Sequence, residues 1–175
     1  MATSGPNNAG TGADDATVGT VAWSNTSNIT ADDISNATAS LNASQSHYLK
    51  ATNFGFSIPA GSIIDGIETR FKRSGGAFIT DTDVKIVKGG AISSTDLSAG
   101  AAWSVGEEFV TFGGATSKWG ETWTATDIND STFGVVLSAT GSALATASVN
   151  VVDIKIYYTL GGGGDSHGRL GFFGI

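Results

Sequence analysis

Between Ala147 and Tyr158 the chain carries its strongest constraint. Val152, Ile154, Ile156 and Tyr158 share one parity, and Asp153, Lys155 and Tyr157 the other. A two-residue period fits a pleated strand with one face to bury, and no helix reproduces it. The pattern recurs at Phe54/Phe56/Ile58, at Ile67/Thr69/Phe71 against Glu68/Arg70/Lys72, and at Val84/Ile86 against Asp83/Lys85. Further strands are expected over Thr20–Trp23, Asn36–Leu41, His47–Ala51, Glu107–Phe112 and Phe133–Ala139. Pro59–Gly61, Ser74–Gly76, Gly89–Gly90 and Gly113–Gly114 supply the turns, and 91–105 reads as loop. The sole helical signal is one turn at Thr124–Asn129, with Thr124 or Thr126 as cap. About eight one-sided strands imply an all-β fold, an antiparallel β-sandwich of jelly-roll-like character.

The ends depart from this pattern. Residues 1–17 are Gly, Ala, Asn, Thr and Asp without periodicity and read as a flexible N-terminal arm. The sandwich domain is expected over 18–160. Residues 161–175 form a glycine-hinged C-terminal arm, Gly161–Gly164 followed by a segment ending in Leu170, Phe172, Phe173 and Ile175. Four extended residues reach about 13–14 Å. An apolar tip on such a hinge is expected to contact a neighbouring subunit. The N-terminus has neither a basic nor an apolar leader region, so synthesis in a host cytoplasm without a signal peptide is expected.

Composition removes several function classes. A net charge of −7 with 9 Lys+Arg leaves no basic patch for phosphates, so nucleic acid and anionic membrane surfaces are not expected partners. With no Cys there are no disulfides and no thiolate metal sites. No apolar run approaches the ~20 residues of a membrane-spanning helix.

Catalytic signatures are missing from the sequence. His47 and His167 have no metal-ligand spacing, and neither a G-x-S-x-G elbow nor a phosphate loop occurs. No catalytic residue and no cofactor is expected. Acidic pairs occur at Asp14/Asp15, Asp32/Asp33, Asp81/Asp83 and Glu107/Glu108. Asp81-Thr-Asp83 resembles the opening of a calcium loop but lacks its glycine and distal glutamate, so a solvated hairpin edge is favoured. Trp103, Trp119 and Trp123 are candidates for a sugar-stacking platform. The rival is burial in the sandwich or at a subunit contact, which is favoured because Trp is enriched there. Trp23 is expected in the core. Asn25, Asn28, Asn36, Asn42 and Asn129 match the glycosylation pattern, as chance allows in an Asn/Ser/Thr-rich chain.

Several pieces read in order carry a resemblance. They are Trp23-Ser-Asn25, the stretch Tyr48 to Gly61, Ile64-Asp-Gly-Ile67, Val87-Lys-Gly-Gly90, Trp119-Gly-Glu-Thr-Trp123, Asp127-Ile-Asn129, Phe133-Gly-Val135 and Ile156-Tyr-Tyr-Thr159. Together they resemble a family of small all-β virion proteins of tailed bacteriophages and prophages, over most of 20–160. The resemblance implies a virion structural component, foremost a capsid decoration (cement) protein. Its partners would be other virion proteins, and its assembly a homotrimer or larger. A tail, baseplate or fibre component, or a carbohydrate-binding adhesin module, is the alternative.

Overall fold

A computed structural model describes residues 1–161; the rest of the C-terminal arm, including Leu170, Phe172, Phe173 and Ile175, lies outside them. In chain order the strands are β1 (Ala2–Asn8), β2 (Thr11–Asp15), β3 (Ala37–Leu41), β4 (Ser44–Gln45), β5 (Tyr48–Thr52), β6 (Ile63–Ser74), β7 (Ile79–Lys88), β8 (Ala91–Asp96), β9 (Glu108–Gly114), β10 (Gly134–Gly141) and β11 (Ala145–Thr159). A 3-10 turn spans Thr26–Ile29, and the short helix α1 spans Ala125–Asn129. They form two antiparallel sheets. One has the order β1-β11-β6-β9, with β3 also on β11. The other has the order β2-β5-β10-β7-β8, with β4 on β10. The chain is an antiparallel β-sandwich.

The alternating residues fill its interior. Ile67, Phe71, Val152, Ile154 and Ile156 come from the first sheet, and Leu49, Val84, Ile86, Val135 and Leu137 from the second; all are buried in one core. Each such side chain contributes about 1.5–3 kcal/mol on burial. Near its middle, β11 pairs with β6 through Val152↔Phe71 and Ile154↔Thr69, so both partners send the same parity inward. In α1, of the two caps the sequence allowed it is Thr124 that serves, in a capping box with Asp127.

The N-terminal segment is not a flexible arm. β1 pairs with β11 (Ala2↔Tyr158, Asn8↔Asp153) and β2 with β5 (Thr11↔Thr52, Asp15↔Tyr48), so residues 1–17 lie across both sheets. What holds them is backbone pairing to edges that would otherwise leave N–H and C=O groups unmatched. Small residues suit that docking: a Cβ at Gly12 would stand 2.0 Å from the Thr26 carbonyl oxygen.

Three interior expectations also shift. Phe54, Phe56 and Ile58 are buried as the period required, but they form no ladder strand. Asn53 (φ 60°) and Gly55 (φ 65°) break the extended run. Asn129 replaces a neighbouring strand, accepting from Ile58 N–H at 2.7 Å and donating to its carbonyl at 2.9 Å. Residues 91–96 pair with β7 rather than looping. Thr20–Trp23 makes only isolated bridges, Val21↔Ser46 with Ser24↔Thr38 beside it.

Candidate binding site

The outward face of the six-stranded sheet is built from cross-strand rows. In one row Val136 of β10 lies between Lys50 of β5 and Lys85 of β7. In the next, Ser138 lies beside Asp83, with Tyr48 on β5. Tyr48, Val87 and Val136 are buried together as an apolar floor, with Val18 and Ile92 packed partly exposed against it. Such a cluster outside the main core gives the face relief: a shallow groove of about 490 Å³ lined by Asp15, Thr17, Tyr48, Lys50, Lys85 and Ile92.

Its polar groups are held in a network. Lys85 Nζ lies 2.7 Å from Asp83 and donates to the Tyr48 hydroxyl at 3.3 Å. Tyr48 donates to Asp83 at 3.3 Å, and the Ser138 hydroxyl donates to the same carboxylate oxygen at 3.1 Å. Gln45 donates to Ser138 at 3.2 Å, and Lys50 to Asp15 at 3.3 Å. The hydrogen bond to Asp83 raises the Lys85 pKa against the opposing effect of burial. Burial raises that of the Tyr48 phenol, which therefore stays protonated. Burial pushes the Asp15 carboxyl up, but bonds from Thr17 and Lys50 outweigh it and hold the group below its ordinary range. Two ammonium and two carboxylate groups thus stand fixed and charge-balanced on an open face, with hydroxyls between them.

The candidate aromatics do not assemble there. Trp103 and Trp119 are buried, their indole N–H groups donating to Asp81 (2.9 Å) and to the Ile67 carbonyl (3.0 Å). A large ring with a single donor is stable inside once that donor is matched. Only Trp123 keeps part of its ring open. It packs edge-on to Phe133 at 5.4 Å with Lys88 5.4 Å from its centroid. A three-Trp sugar platform does not exist.

Asp81 and Asp83 do not form a calcium pair either. A bulge in the β7–β10 ladder, between Ser138/Asp83 and Ala139/Asp81, breaks the parity. Asp83 joins the outward network, while Asp81 turns inward to Arg73 and Trp103. His47 sits near the surface with Nδ1 2.8 Å from Asp14; His167 lies outside the described residues. Among the described residues no cluster of three metal-ligating side chains occurs, and no helix is long and apolar enough to cross a membrane. The groove itself was missed in the sequence. Its signal was present: Lys50, Lys85 and Asp83 occupy the outward parity of segments read as strands, but which strands are neighbours was not legible.

No protein-family model matches the chain, and no curated protein matches it in sequence. Two solved structures resemble it in shape. One is described as "CBM4 structure and function", with 16% identity and a TM-score of 0.44 over 72% of this chain and 87% of the other. The second is the second N-terminal cellulose-binding domain of Cellulomonas fimi β-1,4-glucanase C, with 11% identity and a TM-score of 0.45 over 88% of this chain and 94% of the other. At these levels no residue of this chain has an assigned counterpart in either.

Proposed function

We propose that the chain is a non-catalytic binding module, an adhesin-type domain that takes a neutral, hydroxyl-rich glycan on the outward face of its six-stranded sheet. The observation that carries this is the charge-balanced network of Asp15, Lys50, Asp83 and Lys85 around Tyr48 and Ser138. A sugar hydroxyl both donates and accepts. It matches a surface where fixed acceptors and donors alternate, whereas a polyanion would meet the carboxylates of a chain carrying net −7. Partly exposed Val18 and Ile92 offer contact to the C–H face of a ring. Soluble neutral glucans, tested by calorimetry with a sulfated polysaccharide as control, should bind. Lys50→Ala should weaken binding about tenfold, on the order of one hydrogen bond to a charged group. Absence of binding to every neutral glycan, or preference for the sulfated one, would overturn the reading.

A virion structural role is a second reading, and the exposed Phe78, Val105 and Leu144 favour it. They sit on neighbouring loops at one end of the sandwich, tied by Ser142 N–H to the Phe78 carbonyl (2.9 Å) and Gly75 N–H to the Ser104 carbonyl (2.9 Å). Apolar side chains gathered at a loop end suit a contact with another subunit. The sequence pieces resembling phage virion proteins point the same way, and the two readings combine in a particle-borne adhesin. Immunogold labelling of purified particles should place the chain on the head or tail; particles lacking it would remove this reading and leave the first intact.

A further inference from the structure

β9 closes the first sheet at one side and pairs only with β6, from Ile67↔Gly114 to Arg73↔Glu108 without a register shift. Among the described residues its other edge makes one backbone bond, a turn from Ser117 N–H to the Gly114 carbonyl at 3.1 Å. Glu108, Phe109, Thr111 and Gly113 are exposed. Other outer strands are guarded. β1 carries Pro6, which has no N–H, and a bulge between Ser4 and Asn7. The Thr26 hydroxyl covers β2 by donating to the Gly12 carbonyl at 3.1 Å, and β8 shifts register against β7. Proline, bulges and covering segments keep a sheet edge from pairing with another chain. β9 has none of the three. Beside it runs a cleft of about 450 Å³, with Val110 and Phe112 on one side and Leu97, Ala99 and Ala101 from the segment after β8 among its other walls.

We infer that β9 pairs antiparallel with β9 of a second copy of this chain, joining their two first sheets into one. Residues directly opposite in an antiparallel ladder share a face, so a two-fold ladder centres on a residue. Centring on Thr111 is the register that uses all seven residues. It sets Val110 against Phe112 of the second copy on the inward face, beside the apolar cleft, and Phe109 against Gly113 on the outward face. Glu108 meets Gly114, where the turn toward Lys118 begins. Glu108 and Lys118 are exposed and make no ion pair among the described residues, so each end of the ladder joins an unpaired acid of one copy to an unpaired base of the other. Centring on Val110 would instead press Glu108 against Phe112. The two-fold axis stands perpendicular to the joined sheet. Both six-stranded sheets therefore lie on the same side of it, and their outward grooves face one way. Resting on the glycan reading above, the pair is a bivalent binder whose second contact is made at high effective concentration.

Sedimentation equilibrium of the full chain without ligand should give twice the 17.7 kDa of one chain. Thr111→Lys, at an exposed position, sets like charges opposite each other on the axis and should return the mass to one chain. The chain has no cysteine, so Thr111→Cys offers a single thiol. A short bis-maleimide should link it across the axis, while Ser142→Cys on an exposed loop should stay unlinked. Calorimetry of glycan binding by Thr111→Lys should match the parent per site, so failure of the groove and failure of the edge are read separately. A monomer, a mass of three chains, a dimer that persists in Thr111→Lys, or an unlinked Thr111→Cys would overturn the inference. A monomer whose Thr111 amide resists hydrogen exchange would do the same, marking the edge as covered by another segment of the chain.

Discussion

Arg70 and Arg73 stand three residues apart on β6, and each pairs with an aspartate. Opposite parity sends them to opposite sides of the sheet. Arg70 lies outward at 32% exposure and makes a bidentate pair with Asp153, Nε to Oδ1 at 2.8 Å and Nη2 to Oδ2 at 2.7 Å. Asp153 is the register partner of Arg70 across β6 and β11, so the ladder itself aligns the fork. That hydrogen bonding raises the Arg70 pKa. Arg73 points inward, where burial lowers its pKa to about 10, and its aspartate comes from the other sheet. One pair is complete at the water boundary, and the other is desolvated and incomplete. The same two residue types meet water in one place and are sealed from it in the other.

The largest test of this difference is Arg73→Ala, which leaves Asp81 alone in the interior. It should cost about 3–5 kcal/mol in urea unfolding. Should it cost no more than Arg70→Ala, the two pairs would be equivalent and the comparison would fail. Replacing both interior partners, Arg73→Met with Asp81→Leu, should be neutral or gain about 1–4 kcal/mol, because apolar side chains have no orphaned groups. The corresponding exchange at Arg70 and Asp153 should bring no such gain, since both oxygens of the outer carboxylate are already matched by the guanidinium; differential scanning calorimetry on both double variants decides. Arg70→Ala alone should cost about 1–3 kcal/mol, since Asp153, at 5% exposure, loses both charged donors.

The smallest effect is one of pH. Burial depresses the folded-state pKa of Arg73 to about 10, below its ordinary value, so between the two the unfolded chain holds more protons and stability rises with pH through this group. Arg70, raised by Asp153, has the opposite sign: its contribution is complete below the unfolded pKa and is lost as pH climbs through the folded one. Any stability advantage of the Arg73→Met/Asp81→Leu variant over the parent should therefore shrink above about pH 10. A gap that stays constant or widens in parallel denaturation series would mean that Arg73 is not held at a desolvation cost.

Legibility followed the same division between parity and partnership. Alternation identified the inward Ile67, Phe71, Val84, Ile86, Val152, Ile154 and Ile156, and the sequence narrowed the cap to Thr124 or Thr126, of which the structure uses Thr124. Extending the parity of Ile67, Thr69 and Phe71 by one step puts Arg73 on the buried face, the available sign of the interior pair. Asp81 and Asp83 misled because a bulge interrupts parity without changing composition. Trp103 and Trp119 are buried, as the favoured sequence reading held, but the groups that match their indole N–H, a side chain on β7 and a carbonyl on β6, were not legible. The N-terminal strands carried no hydrophobic signal, because edges of β11 and β5 recruit them through their backbones.

Local chemistry in the sequence thus determined that the chain is a sandwich of one-sided strands, which side of most strands faces in, and where the turns and one helix cap fall. These depend on residues within a few positions of one another. The tertiary structure alone decided that Lys50 and Lys85 flank Val136, that Asn129 stands in for a strand beside Ile58, and that Arg73 and Asp81 meet across the sheets. Each of these joins segments far apart in the chain through register, bulge and sheet order. Those are set by closing the whole core at once, which no local window contains.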